Sequence, residues 1–156
     1  MVLNMINDIS KESIINKEIT NILCIKAEQN EHTKNWIYSY LVVLKNSEKI
    51  IKLDPKKIEI ISKNINIESL IDIPVQIIEG GYIGEIIKSI IYRSLNNSHL
   101  HDKKIFQYGL LLHSNRIIVN TYKCGGGSIM HIESLSGFIR HNGDEWKDYW
   151  TGENVN

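Results

Sequence analysis

One stretch, Tyr122-Lys123-Cys124-Gly125-Gly126-Gly127-Ser128, constrains the fold of this chain more than any other. Three successive glycines lose more conformational entropy on folding than any other triplet. A fold that keeps them uses backbone that bends sharply or closely approaches something else. The triplet follows a run rich in β-branched residues, 116–122, so its expected setting is the end of a strand, and its expected product a site.

The rest of the chain reads as alternating strands and helices. Residues 22–27 and 36–44 are expected strands. In the second, Trp36, Tyr38 and Tyr40 share one face while Ile37, Leu41 and Val43 share the other. Apolar residues on both faces suit a central, doubly covered strand, or a strand with one face used for a partner. Asn46-Ser47 turns the chain into a short strand at 49–53. Asp54-Pro55 then reads as a helix start, an acidic N-cap with proline at the first helical position, and Ile58, Ile61 and Ile65 supply a helical stripe. Pro74 confines the next strand to 75–78. Ile83, Ile86, Ile87, Ile90, Ile91 and Leu95 recur at the spacing of one helix face, which predicts a helix over 81–96.

Two apolar runs, 105–112 and 116–122, flank Ser114-Asn115 and predict a β-hairpin. Residues 129–136 suit a strand or a short helix, and Asn142-Gly143 predicts a second hairpin over 138–146. The first twenty residues suggest a helix through Ile6, Ile9, Ile14 and Ile15. Hairpins segregated from two well-formed helices indicate an α+β fold, a mainly antiparallel sheet with two principal helices packed on one face. With no internal repeat and no long linker, residues 1–156 are expected to form a single globular domain.

Composition narrows the function classes. The chain has 18 basic and 18 acidic residues, which removes the general electrostatic argument for nucleic acid or an anionic membrane. Its apolar runs are too short to span a bilayer, and the first twelve residues carry no basic segment ahead of an apolar one, so no secretory leader is expected. Cys24 and Cys124 do not make a disulfide framework, and reduced thiols in a cytoplasmic protein are the expectation. Ile, Asn and Lys dominate while Ala occurs only at Ala27, the bias of an AT-rich bacterium, mobile element or virus. Residues 99–141 hold five of the six histidines and more cations than anions, whereas Asp144, Glu145, Asp148 and Glu153 make the following tail acidic.

Several residues are candidates for chemistry. Cys124, beside Lys123 and ahead of unencumbered glycine N–H groups, suits an activated thiol. His141 as its base and Asp144 as the orienter of that base complete a Cys, His, Asp order, with His131 an alternative base. The turns at Gly80-Gly81 and at Gly125, Gly126 and Gly127 suit capture of a small anionic or nucleotide ligand, with Lys123, Arg116 or Arg140 neutralising its charge. His99, His101, His113 and Cys124 could supply zinc ligands, but no further spacing supports a metal, and no cofactor is expected. Trp146, Tyr149 and Trp150, set among Asp144 and Asp148, have the composition of a protein-binding hot spot.

These features favour a small interaction protein that binds and inhibits or neutralises another macromolecule, immunity-like, with a protein as partner. The alternatives are a cysteine-dependent hydrolase or transferase built on Cys124, and a binder of a small anionic ligand at the glycine turns.

Overall fold

A computed structural model describes residues 9–63, 76–78, 81–95, 105–123, 126–142 and 146–155, and in them the chain is mostly β. In the first half, a 3-10 turn (Lys11–Ser13) leads into β1 (Ile19–Gln29), β2 (Trp36–Leu44), β3 (Lys49–Leu53), β4 (Ile58–Ser62) and β5 (Gln76–Ile78). In the second half come β6 (Ile87–Leu95), β7 (Ile105–Leu112), β8 (Arg116–Lys123), β9 (Gly127–Ser134), α1 (Leu135–Asn142) and β10 (Lys147–Asp148). Two antiparallel five-stranded sheets result, ordered β4-β3-β2-β1-β5 and β10-β6-β7-β8-β9.

The turns follow local chemistry. Asn46 and Asn115 take positive φ at the two turns where a short polar pair was expected, since the asparagine side chain tolerates that conformation better than most.

The core lies between the sheets. Ile22, Cys24, Tyr40, Val42, Leu44, Ile51 and Leu53 face Ile90, Tyr108, Leu110, Leu112 and Ile118. On the far side of the second sheet, Ile91, Leu111, Ile117 and Val119 pack under Leu135 and Phe138 of α1 and under Trp146. Gly109 makes room there, because a Cβ at that position would stand 2.9 Å from Val119 Cγ1 and 3.5 Å from Trp146 Cη2. The sheets also join at one edge: a bridge pairs Glu18 with Ile86, and the Ile19 and Ile87 amides donate to Glu85 and Lys17 carbonyls at 2.8 and 3.0 Å.

The expected α+β arrangement with two principal helices is therefore corrected: among the described residues α1 is the only α-helix. The isoleucines expected to line a helix over 81–96 belong to a turn at 81–84, to the Glu18–Ile86 bridge and to strand β6. Ile90 points into the inter-sheet core and Ile91 into the layer beneath Trp146, so β6 is buried on both faces. A strand covered on both sides has no polar face, and its apolar residues then meet a helical template by spacing alone. The helix expected after Asp54-Pro55 is a tight turn, closed by Asp54 N–H donating to Lys57 O at 2.9 Å, followed by strand β4. Ile58 and Ile60 turn inward and Ile61 outward, the alternation of a strand. The hairpin expected over 138–146 is replaced at its start by α1, which ends at Asn142. From residue 9 onward, the helix expected at the start of the chain is reduced to the 3-10 turn.

Candidate functional site

The two sheets meet most intimately where the β8–β9 hairpin crosses the end of β2. The register of β2 with β3 sets Tyr40 opposite Leu53, and the ladder ends with that pair, where β3 runs into Asp54-Pro55. Proline has no N–H to donate, so β3 cannot continue the ladder there. Side chains of the other sheet replace it. Ser128 Oγ accepts from Tyr38 N–H at 2.8 Å, and Asn120 Nδ2 donates to the Tyr38 and Leu53 carbonyls at 2.7 and 3.0 Å. Tyr40 Oη accepts from Met130 N–H at 3.0 Å. A buried backbone group left unmet costs about 1–3 kcal/mol, so these bonds fix the hairpin against the first sheet.

Gly126 and Gly127 permit this approach. Gly126 has φ +79°, and a Cβ on it would collide with the Asn30 side chain in the β1–β2 turn. Asn30 is itself committed to that turn, its Oδ1 accepting from the His32 and Thr33 amides at 3.0 and 2.9 Å. Gly127 is buried and opens β9 opposite Lys123.

Held this way, Tyr122 overhangs a depression of about 260 Å³ between the hairpin and the β3–β4 turn. Ala27, Ile37 and Pro55 give it apolar surface, and Ser39, Asp54, Lys52, Lys56, Lys57 and Glu28 give it charge and hydrogen-bonding groups. Asp54 is only 8% exposed; Ser39 Oγ donates to its Oδ1, and Lys52 Nζ stands 3.5 Å from its Oδ2, which makes no hydrogen bond. Lys57 and Glu59 pair at 3.1 Å, and Lys52 lies 3.8 Å from Glu59. The Lys57–Glu59 contact holds the ammonium above and the carboxyl below their usual values, the hydrogen bond being the largest cause for each. Lys56 Nζ lies 5.1 Å from the centre of the Tyr122 ring, which is itself 46% exposed. Partial burial, then the charges of Glu28 and Asp54, raise the Tyr122 phenol above its ordinary value.

The residues singled out from the sequence are placed as follows. Cys124, Gly125 and Asp144, and likewise His99, His101 and Gly80, lie outside the described residues. Lys123 closes β8, and Arg140 and His141 lie on α1, with side chains outside the description. Arg116 is engaged within the chain, donating to Gly81 O at 2.7 Å and pairing with Glu85 at 3.5 Å. His131 stands 3.0 Å from Glu133, and His113 Nε2 lies 3.0 Å from Asn16 Oδ1. Among the described residues no three His, Cys, Asp or Glu side chains are grouped to hold a metal ion.

The tail aromatics are built into the fold. Trp146 is fully buried, and Tyr149 packs in the inter-sheet core 6.2 Å from the Tyr108 ring. Trp150 is partly buried and donates its indole N–H to Ile9 O at 2.9 Å. Asp148 shapes the turn beneath them, its Oδ1 accepting from the Trp150 and Thr151 amides at 2.9 and 3.0 Å, while Ser89 Oγ donates to its Oδ2.

Sequence reasoning missed Ser39, Lys52, Asp54 and Lys56. Their one signal was Asp54-Pro55, which marks a turn as readily as a helix start.

No family model matches the chain, and neither a curated protein nor a solved structure does. Nothing in these comparisons supports the words inhibitor or immunity. Among the described residues no helix is long and apolar enough to cross a membrane.

Proposed function

We propose that this chain is an interaction protein whose contact surface for another macromolecule is the depression beneath Tyr122. The observation that carries the reading is the mounting of Tyr122: a half-exposed phenol ring, capped by a lysine, on a hairpin fixed by the Gly126–Asn30 approach. Tyrosine supplies large contact area with two rotatable angles, and a rigid mounting lowers the ordering entropy that binding must overcome. The nearby ions add orientation, since mixed charge around an aromatic ring steers a partner into register.

The reading is tested by affinity capture with the full chain, identification of the captured macromolecule, and calorimetric titration of that purified species. Tyr122→Ala should weaken binding at least tenfold with the fold unchanged by circular dichroism. Equal affinity for Tyr122→Ala, or no macromolecule retained saturably, overturns it.

A further inference from the structure

The charges around the depression are unevenly committed. Lys52 faces Asp54 and Glu59, and Lys57 faces Glu59. Among the described residues no carboxylate lies within ion-pairing distance of Lys56, whose ammonium rests over the Tyr122 ring. Two carboxylates line the depression: Asp54 is closed to a cationic ligand, being nine-tenths buried with Ser39 on one oxygen and Lys52 facing the other, while Glu28 is exposed. The lining lysines outnumber its carboxylates, three against two, and the donors open to a ligand are the Lys56 ammonium and the Tyr122 hydroxyl.

Size and composition limit what those donors can meet. A volume of about 260 Å³ falls below the usual range for drug-sized ligands, roughly 300–1,000 Å³, and suits a single side chain. Ala27, Ile37 and Pro55 give a methylene stem apolar surface to lie on. A nucleic-acid backbone would require a stripe of uncompensated cations, whereas the lysines here alternate with Asp54 and Glu59 in a chain of zero net charge.

We propose that the depression seats an acidic side chain of a protein partner, its carboxylate bound by the Lys56 ammonium and the Tyr122 hydroxyl. This deepens the interaction reading and rests on it for the presence of a partner. Both bonds are charge-assisted, the class that contributes most per contact at a partly desolvated site.

The test is an amide NMR titration of the full chain with a short, end-blocked glutamate-glycine peptide, its glutamine counterpart, and a single-stranded oligonucleotide. The glutamate peptide should give saturable shifts confined to the neighbourhood of Ala27, Ile37, Lys56 and Tyr122. Lys56→Gln should weaken its binding about tenfold, Tyr122→Phe should weaken it less, and Lys56→Arg should restore most of it. Lys56 is solvent-exposed, so these changes leave the fold intact. Equal shifts with the glutamine peptide, preference for the oligonucleotide, or indifference to Lys56→Gln overturns the proposal. If the captured partner loses affinity for Tyr122→Ala but binds Lys56→Gln as tightly as wild type, this proposal falls while the interaction reading stands. If the glutamate peptide binds at the depression and no macromolecule is captured, the interaction reading fails instead.

Discussion

The chain places aromatic residues among charges in two regions, and the fold treats them oppositely. In the tail, Trp146 fills the layer between α1 and the second sheet, its ring 5.4 Å from that of Phe138 and 5.4 Å from the Arg93 guanidinium carbon. At the β8–β9 hairpin, Tyr122 likewise has a cation over its ring, yet remains half exposed. The difference is what stands opposite. Trp146 meets Phe138 of α1 across its ring, whereas Tyr122 lines a depression open to solvent. Aromatic and charged composition alone therefore did not separate a core residue from a surface one.

Trp146→Ala is the strongest test of that contrast. Removing a fully buried indole should destabilise the protein by about 3–5 kcal/mol, measured by urea denaturation, whereas Tyr122→Ala should cost about 1 kcal/mol or less. Equal costs would break the comparison. A middle-sized effect is expected at Gly126→Ala, which combines positive φ with a Cβ in contact with Asn30, and should cost about 1–3 kcal/mol. Asn30→Gly in the same chain should recover the steric part and leave the backbone part, giving a coupling that denaturation of the double mutant measures.

The strands were largely legible. β2 and β3 run over the residues that alternation and turn chemistry indicated, β7 and β8 match within a residue, and β2 is central in its sheet, with Val42 and Leu41 buried on its two faces. The helices were not, for two physical reasons. Residues 83–95 carry isoleucine on both strand faces, which erases the period of two that would have identified β6. Asp54-Pro55 has the same chemistry whether it starts a helix or a tight turn, and only pairing with β3 decides for β4. The candidate site was legible at one end. The glycine triplet announced a close approach, and Gly126 against Asn30 is one. Its other half, Ser39, Lys52, Asp54 and Lys56, is assembled from β2, β3 and the turn after it, so no local spacing in the sequence links these residues.

The smallest expected effect concerns three phenols and a thiol. Tyr40 and Cys24 lie in the inter-sheet core, and burial, the largest cause for each, raises both above their ordinary values, as it does for Tyr108. Below the unfolded thiol value of about 8.5, folded and unfolded chains both keep these protons, so the groups contribute no pH dependence. Above it the unfolded chain loses the Cys24 proton first and the tyrosine protons near 10, while the folded chain retains them, so the unfolded state binds fewer protons and stability falls as pH rises. Denaturation midpoints should therefore decline from about pH 8.5 upward, and Cys24→Ala should remove the earliest part of the decline while lowering the midpoint at pH 7 through the cavity it leaves. Tyr122 sharpens the contrast: its exposed ring should ionise in the folded protein, giving a phenolate absorbance that rises before the circular dichroism changes, while the Tyr40 signal should appear only with unfolding. Simultaneous ionisation of all the tyrosines with loss of structure would place Tyr122 in the core with Tyr40 and remove the exposed ring on which the binding surface depends.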